Sequence, residues 1–161
     1  MKIDFNLKPL AWVIPVAFAC GPVATTAVAQ GSPTEFNFSD TVEDICAFPV
    51  QAENKGKTKV IQLPGGGSVI TAPGAIATLT NLADPTKQVS FGVTGSGHVT
   101  YLANGDVRYV LTGRSIVGGY VPDPYLLLVI GKYTLTLDAE GFQVEPLEGQ
   151  GQTIDLCELL S

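Results

Sequence analysis

The sequence is poor in the side chains that do chemistry. Its 161 residues hold one histidine, one tryptophan, one methionine and three cysteines. Nine Lys+Arg stand against 15 Asp+Glu, a formal net charge of −6, and only Arg108 and Arg114 are arginines. Phosphate binding needs clustered Lys and Arg, so nucleic acid is excluded as a partner and anionic membrane is disfavoured. A zinc site wants three or four ligands, and His98 is the one imidazole available, so no metal is expected. No EF-type calcium spacing occurs. Gly65-Gly66-Gly67-Ser68 lacks the lysine and the following helix of a phosphate-binding loop and reads as a turn. No cofactor is expected. Helical periodicity is missing too: from Ile45 onward no ten-residue window repeats apolar residues at i, i+3, i+4 and i+7.

What is present begins with an address. No charge occurs between Lys8 and Glu35, and residues 10–19 (LAWVIPVAFA) form an apolar core of secretory length. Ala27-Val28-Ala29 ahead of Gln30 fits an A-x-A cleavage site, so residues 1–29 are expected to be a signal peptide. Pro15, Gly21, Pro22, Thr25 and Thr26 break the run, which counts against a retained membrane span. Lipidation at Cys20 is the other alternative, disfavoured by the bulk of Phe18. Cleavage would remove Lys2, Asp4 and Lys8 and leave 7 basic against 14 acidic residues, a net −7. The polar residues 30–41 read as a flexible lead-in, with a single domain over 42–161.

Signal removal leaves Cys46 and Cys157. An even pair in an exported chain reads as a disulfide, with two buried free thiols as the alternative. Such a bond closes a loop of about 110 residues and stabilises by about 4–5 kcal/mol in the chain-entropy picture. At 45% hydrophobic residues the chain can fill a core, which excludes wholesale disorder.

The rest of the chain alternates. Candidate strands are residues 45–52, 58–63, 68–71, 75–82, 87–94, 97–103, 106–113, 125–138, 142–145 and 153–157. Turns rich in Gly, Asn, Asp and Pro separate them. Short strands at this spacing predict an all-β fold, an antiparallel β-barrel or closed β-sandwich of about 8–10 strands in mostly sequential hairpins. Asn104-Gly105 predicts a two-residue turn pairing Ala103 with Asp106. That register places His98, Thr100, Leu102, Val107, Tyr109 and Leu111 on one inward face.

An inward His98 would need a partner and could titrate in a cavity. Ser96 lies on the same nominal face, but side chains two apart on one strand stand about 6–7 Å from each other, too far for a nucleophile–base pair. Tyr109 shares that face. Arg114 stands at the mouth of the segment 115–124, read as the longest loop, which also carries Tyr120. These four, His98, Tyr109, Arg114 and Tyr120, are the candidate ligand-binding residues. Asp84, Asp106, Asp123, Asp138 and Glu140 all sit in or beside turns, where turn formation accounts for them without an acid/base pair.

Ile45-Cys46-Ala47-Phe48-Pro49-Val50, Gly97-His98 ahead of Asn104-Gly105, Thr112-Gly113-Arg114 and the closing Gly151-Gln152-Thr153-Ile154-Asp155-Leu156-Cys157 resemble a group of small uncharacterised secreted proteins of actinobacteria with no assigned activity. The resemblance spans about residues 42–160. It implies export, two paired cysteines and an all-β domain, and it carries no catalytic residue.

The sequence thus describes a secreted, monomeric, non-enzymatic β domain that binds a small apolar ligand or an extracellular protein partner. The alternatives are a small β-barrel enzyme acting on a lipophilic or carbohydrate substrate, and a secreted hydrolase inhibitor that projects residues 115–124.

Overall fold

The structure, a computed structural model, describes residues 13–14 and 31–161. The expected leader, including Cys20, therefore lies outside the described residues except for one dipeptide. No helix among the described residues is long and apolar enough to cross a membrane.

Among the described residues ten strands and one short helix follow in order: β1 (Val13–Ile14), β2 (Thr34–Val42), β3 (Val50–Gln62), β4 (Ser68–Thr71), β5 (Ile76–Asn81), β6 (Gln88–Gly92), β7 (Ser96–Tyr101), β8 (Val107–Gly119), β9 (Tyr125–Leu137), β10 (Glu148–Asp155) and α1 (Leu156–Leu159). All pairings are antiparallel. The hydrogen-bonded path runs β10-β9-β8-β7-β4-β3-β5-β6, with β1 added to β8 and β2 added to β3. Its two ends do not meet, so the sheet is open and the expected barrel closure is not seen.

β3 organises the fold. Residues 50–58 pair with β2 on one side and 50–55 with β5 on the other, while 59–62 pair with β4. One 13-residue strand thus belongs to two halves of the sheet. The changeover falls at Gly56, where a Cβ would lie 2.6 Å from the Ala75 Cα, so the turn before β5 closes directly over a bare backbone. The halves then fold toward each other. Val50, Ala52, Ala77 and Leu79 from β3 and β5 share a core with Ile116, Leu126 and Leu128 from β8 and β9. Leu111, Val117, Val129, Tyr133 and Leu135 form a second cluster on the opposite face of β8 and β9.

A row of glycines separates two regimes along β8 and β9. Gly113, Gly131 and Gly151 are in register across β8, β9 and β10, each with positive φ. A Cβ on Gly131 would run into the Gln150 carbonyl and the Gly151 Cα. Past this row, residues 115–119 of β8 are all buried, and Leu126, Leu128 and Val129 of β9 are at most 1% exposed. An apolar run such as Leu126-Leu127-Leu128-Val129-Ile130 can be satisfied only where both faces are covered.

The C-terminus closes the first core. Asp155 accepts hydrogen bonds from the Cys157 and Glu158 amides at 2.8 and 3.0 Å, capping α1. Leu156 and Leu160 are fully buried, and the Asn81 amide donates to the Leu160 carbonyl at 3.1 Å. Cys46 and Cys157 are bonded, with Cα atoms 5.3 Å apart.

Several expectations need correction. Residues 34–41, expected within a flexible lead-in, join Val42 in β2 along β3, with Phe36 and Phe38 packed on the first core. The break expected at residues 53–57 is absent because Gly56 lets β3 continue. Residues 45–48 are bends and 49 is irregular rather than strand, and 142–145 contribute only the Leu137–Gln143 bridge. The last residues of the expected closing strand are helical. Connections are not all sequential either, since β4 pairs with β7 and β3 with β5.

Replacing Cys46 and Cys157 together by Ser should cost about 4–5 kcal/mol. Denaturant unfolding of the oxidised protein against the double variant checks this. A loss below about 1 kcal/mol would mean that the bond constrains little.

Candidate functional site

The hairpin between β7 and β8 decides the fate of His98. The Leu102 amide donates to the Asp106 carbonyl at 2.8 Å and the Gly105 amide to the Leu102 carbonyl at 3.1 Å, so the connection is longer than a two-residue turn. The observed register pairs Tyr101 with Val107, Val99 with Tyr109 and His98 with Val110. A one-residue slip exchanges faces. Val99, only 3% exposed, takes the inward position expected for His98, which is exposed. The β8 side keeps its expected orientation, with Leu111 buried and Tyr109 half-buried against the second cluster.

The four candidate ligand-binding residues do not converge. His98 and Tyr109 lie on opposite faces of the sheet. Arg114 is exposed within β8, opposite Ile130, rather than at a loop mouth, because β8 runs on to Gly119. Tyr120 packs on the first core; its hydroxyl donates to the Glu43 carbonyl at 3.3 Å, and its amide donates to Gln143 Oε1 at 3.1 Å. Burial, and then the Asp44 charge, hold the Tyr120 phenol above its ordinary pKa. The long loop shrinks to residues 120–124.

The turn carboxylates act locally. Asp84 accepts from the Thr86 hydroxyl at 2.7 Å and from its amide at 3.2 Å; these bonds lower the Asp84 pKa. Asp138 accepts from the Glu140 and Phe142 amides. Among the described residues no three His, Cys, Asp or Glu side chains are grouped as metal ligands.

A concave surface does exist elsewhere. An open groove of about 630 Å³ lies where β2 and β3 meet the turn ahead of β5. Its walls combine apolar Phe36, Pro73 and Ile76 with Glu35, Lys55 and Lys57. Strand alternation explains the lysines: Lys55, Lys57 and Lys59 are every second residue of β3 and so share its outer face. Registered opposite them are Asn37, Glu35 and Thr71. Lys57 approaches Glu35 at 3.8 Å, with both side chains more than half exposed, a contact worth at most about 1 kcal/mol. Three of the seven cations among residues 31–161 thus fall within five positions of an otherwise acidic chain. The spacing Lys55-x-Lys57-x-Lys59 is visible in the sequence, but Lys55 and Lys57 fall between the strands expected at 45–52 and 58–63, so their common face does not show.

Under the groove's inner side, Asn54 and Thr58 flank Gly56 on the core face. Asn54 is 1% exposed, and neither of its amide atoms nor the Thr58 hydroxyl has a hydrogen-bond partner among the described residues. A buried polar group left unpaired costs free energy. Tyr125 is a different case: burial raises its phenol pKa above 10.0, while the Gln143 side chain beside it acts in the opposite sense.

Asn54→Leu, close in volume, should leave stability unchanged or raise it, because no protein hydrogen bond is lost. A loss above about 2 kcal/mol in urea unfolding would show that the amide is satisfied after all. For Tyr125, a folded pKa above the unfolded one means that its contribution is complete below pH 10 and is lost as pH rises through the folded value. Stability measured from pH 8 to 11 should therefore fall less steeply in Tyr125→Phe than in the parent. Identical slopes would contradict the burial of this phenol.

With this geometry in hand, comparison with known proteins adds no neighbour: the chain matches no family model, no curated protein and no solved structure.

Proposed function

We propose that this protein is an exported, monomeric, non-enzymatic interaction domain that binds an acidic, extended segment of an extracellular partner protein in the groove between β2, β3 and the turn ahead of β5. The observation carrying this reading is the alignment of Lys55, Lys57 and Lys59 along one strand face beside exposed apolar side chains. Ile76 is 41% exposed there, a large apolar side chain with no burial to explain it. A cationic row with apolar neighbours suits a peptide whose acidic and apolar side chains alternate, since charge complementarity steers the encounter and sets register.

Export is supported by the disulfide and by the leader-like N-terminus. On this reading the likeness to the small secreted actinobacterial proteins reflects a shared scaffold. An apolar ligand held between His98, Tyr109, Arg114 and Tyr120 is less well supported, because these residues occupy separate faces. The hydrolase-inhibitor reading loses most of its projecting element, since residues 115–119 are buried strand.

The test is a fluorescence-polarisation titration with a labelled peptide of alternating Glu and Leu. The parent should bind saturably and weaken as salt is raised, and the Lys55→Glu/Lys57→Glu double variant should bind at least about tenfold more weakly. Equal binding by both proteins, or none by the parent, would overturn the proposal.

A further inference from the structure

β8 is longer than the strand beside it. β7 pairs with residues 107–112, and the Gly95 amide makes one more bond, to the Arg114 carbonyl at 3.0 Å. Beyond that point the same edge of β8 is taken by β1, with Val13 opposite Val117 and Ile14 opposite Ile116. Ile116 belongs to the first core and Val117 to the second, and both are fully buried. A strand laid on this edge therefore meets apolar surroundings on both of its faces.

We infer that the edge of β8 from Ser115 to Gly119 is a strand-docking site that takes an extended apolar segment of a partner protein, antiparallel to β8. Val13–Ile14 displays the required chemistry: two adjacent β-branched apolar residues in antiparallel register. That dipeptide lies inside the apolar stretch read as an export leader, so processing opens the edge. Backbone N–H and C=O groups of β8 then lose their partners beside apolar surface, the situation that strand addition relieves. A second copy of this chain is a poor occupant. Of the strands at the two ends of its sheet, β10 offers mainly Glu148, Gln150, Gln152, Thr153 and Asp155, and β6 has Val89 and Phe91 engaged with its own first core and only Gln88 and Ser90 on the other face, so neither brings apolar side chains to both Ile116 and Val117. The site is separate from the lysine groove; it shares with that proposal only the export step.

The experiment starts from the protein recovered from its producing cells and their medium, whose intact mass is read first. Expected is a chain lacking residues 13–14 and hence Trp12, the only tryptophan. A synthetic peptide with the sequence of residues 10–19 is then titrated in, so that its tryptophan is the sole reporter. A saturable blue shift is expected, with the Ile116 and Gly118 amides, which face the same edge as the Arg114 carbonyl, gaining protection from hydrogen exchange. The same peptide N-methylated at both Val13 and Ile14 should bind at least about tenfold more weakly, because strand pairing needs the one of these two amides that faces β8, that of Ile14 opposite Ile116. Retention of residues 13–14 in the recovered chain would overturn the inference, since the edge would be permanently filled. So would absence of binding, equal binding of the N-methylated peptide, or protection confined to other strands. The mass alone reports on export, and the Glu–Leu peptide reports on the lysine groove, so failure of either is distinguishable from failure here.

Discussion

The fold hangs on the backbone hydrogen bonding of one strand. β3 pairs with β2 and β5 along its first part and with β4 along its second, so the two halves of the sheet share a spine instead of a flexible joint. Because backbone groups must be paired wherever they are buried, a strand used in this way fixes three others at once. Gly56 makes the arrangement sterically feasible, since the turn ahead of β5 passes where a side chain would otherwise sit. The groove is a by-product of the same geometry: β2 and that turn rise on either side of β3 and leave the outer face of Lys55 and Lys57 between them.

The second constraint is at the other end of the sheet. Below the glycine row, the outer-face positions of β8, such as Arg108 and Thr112, are exposed and the strand has one buried side. Above it, β8 and β9 are apolar on both sides and must be enclosed. α1 and the disulfide supply part of that enclosure, with Leu156 and Leu160 driven into the first core while Cys157 is tied to Cys46. The two binding surfaces inferred for the molecule arise where these demands are met least completely. One is a cationic face with no matching acidic row, and the other is a strand edge that outruns its neighbour.

Much of this was legible in the sequence, for identifiable reasons. The cysteine pair, the all-β class and the strands at 68–71 and 125–137 follow from alternation and turn chemistry, which act locally. The stripe of Val89, Phe91 and Val93 faces the first core as alternation requires. What failed was information that is not local. The register of the β7–β8 hairpin depends on how many residues the Asn104-Gly105 connection absorbs, and one residue sufficed to move His98 from inside to outside. β2 was invisible because Thr34, Glu35, Asn37, Ser39 and Asp40 are polar; it is a strand because β3 offers an edge and Phe36 and Phe38 have a core to reach. Barrel closure was inferred from sequential hairpins, whereas the β4–β7 and β3–β5 pairings rearrange the order and leave β6 and β10 at open ends.

The claim at the centre of this account is that β3 is one unbroken strand with partners on both sides of Gly56. Cross-strand nuclear Overhauser effects measured in a single sample test it directly. The account requires contacts between the backbones of Phe36 and Gly56 and, simultaneously, between those of Val60 and Ile70, the pairs registered on either side of the changeover. Random-coil shifts for residues 34–42, or a β3 interrupted at residues 53–57 with no Phe36–Gly56 contact, would contradict it and would remove the wall on which the groove depends.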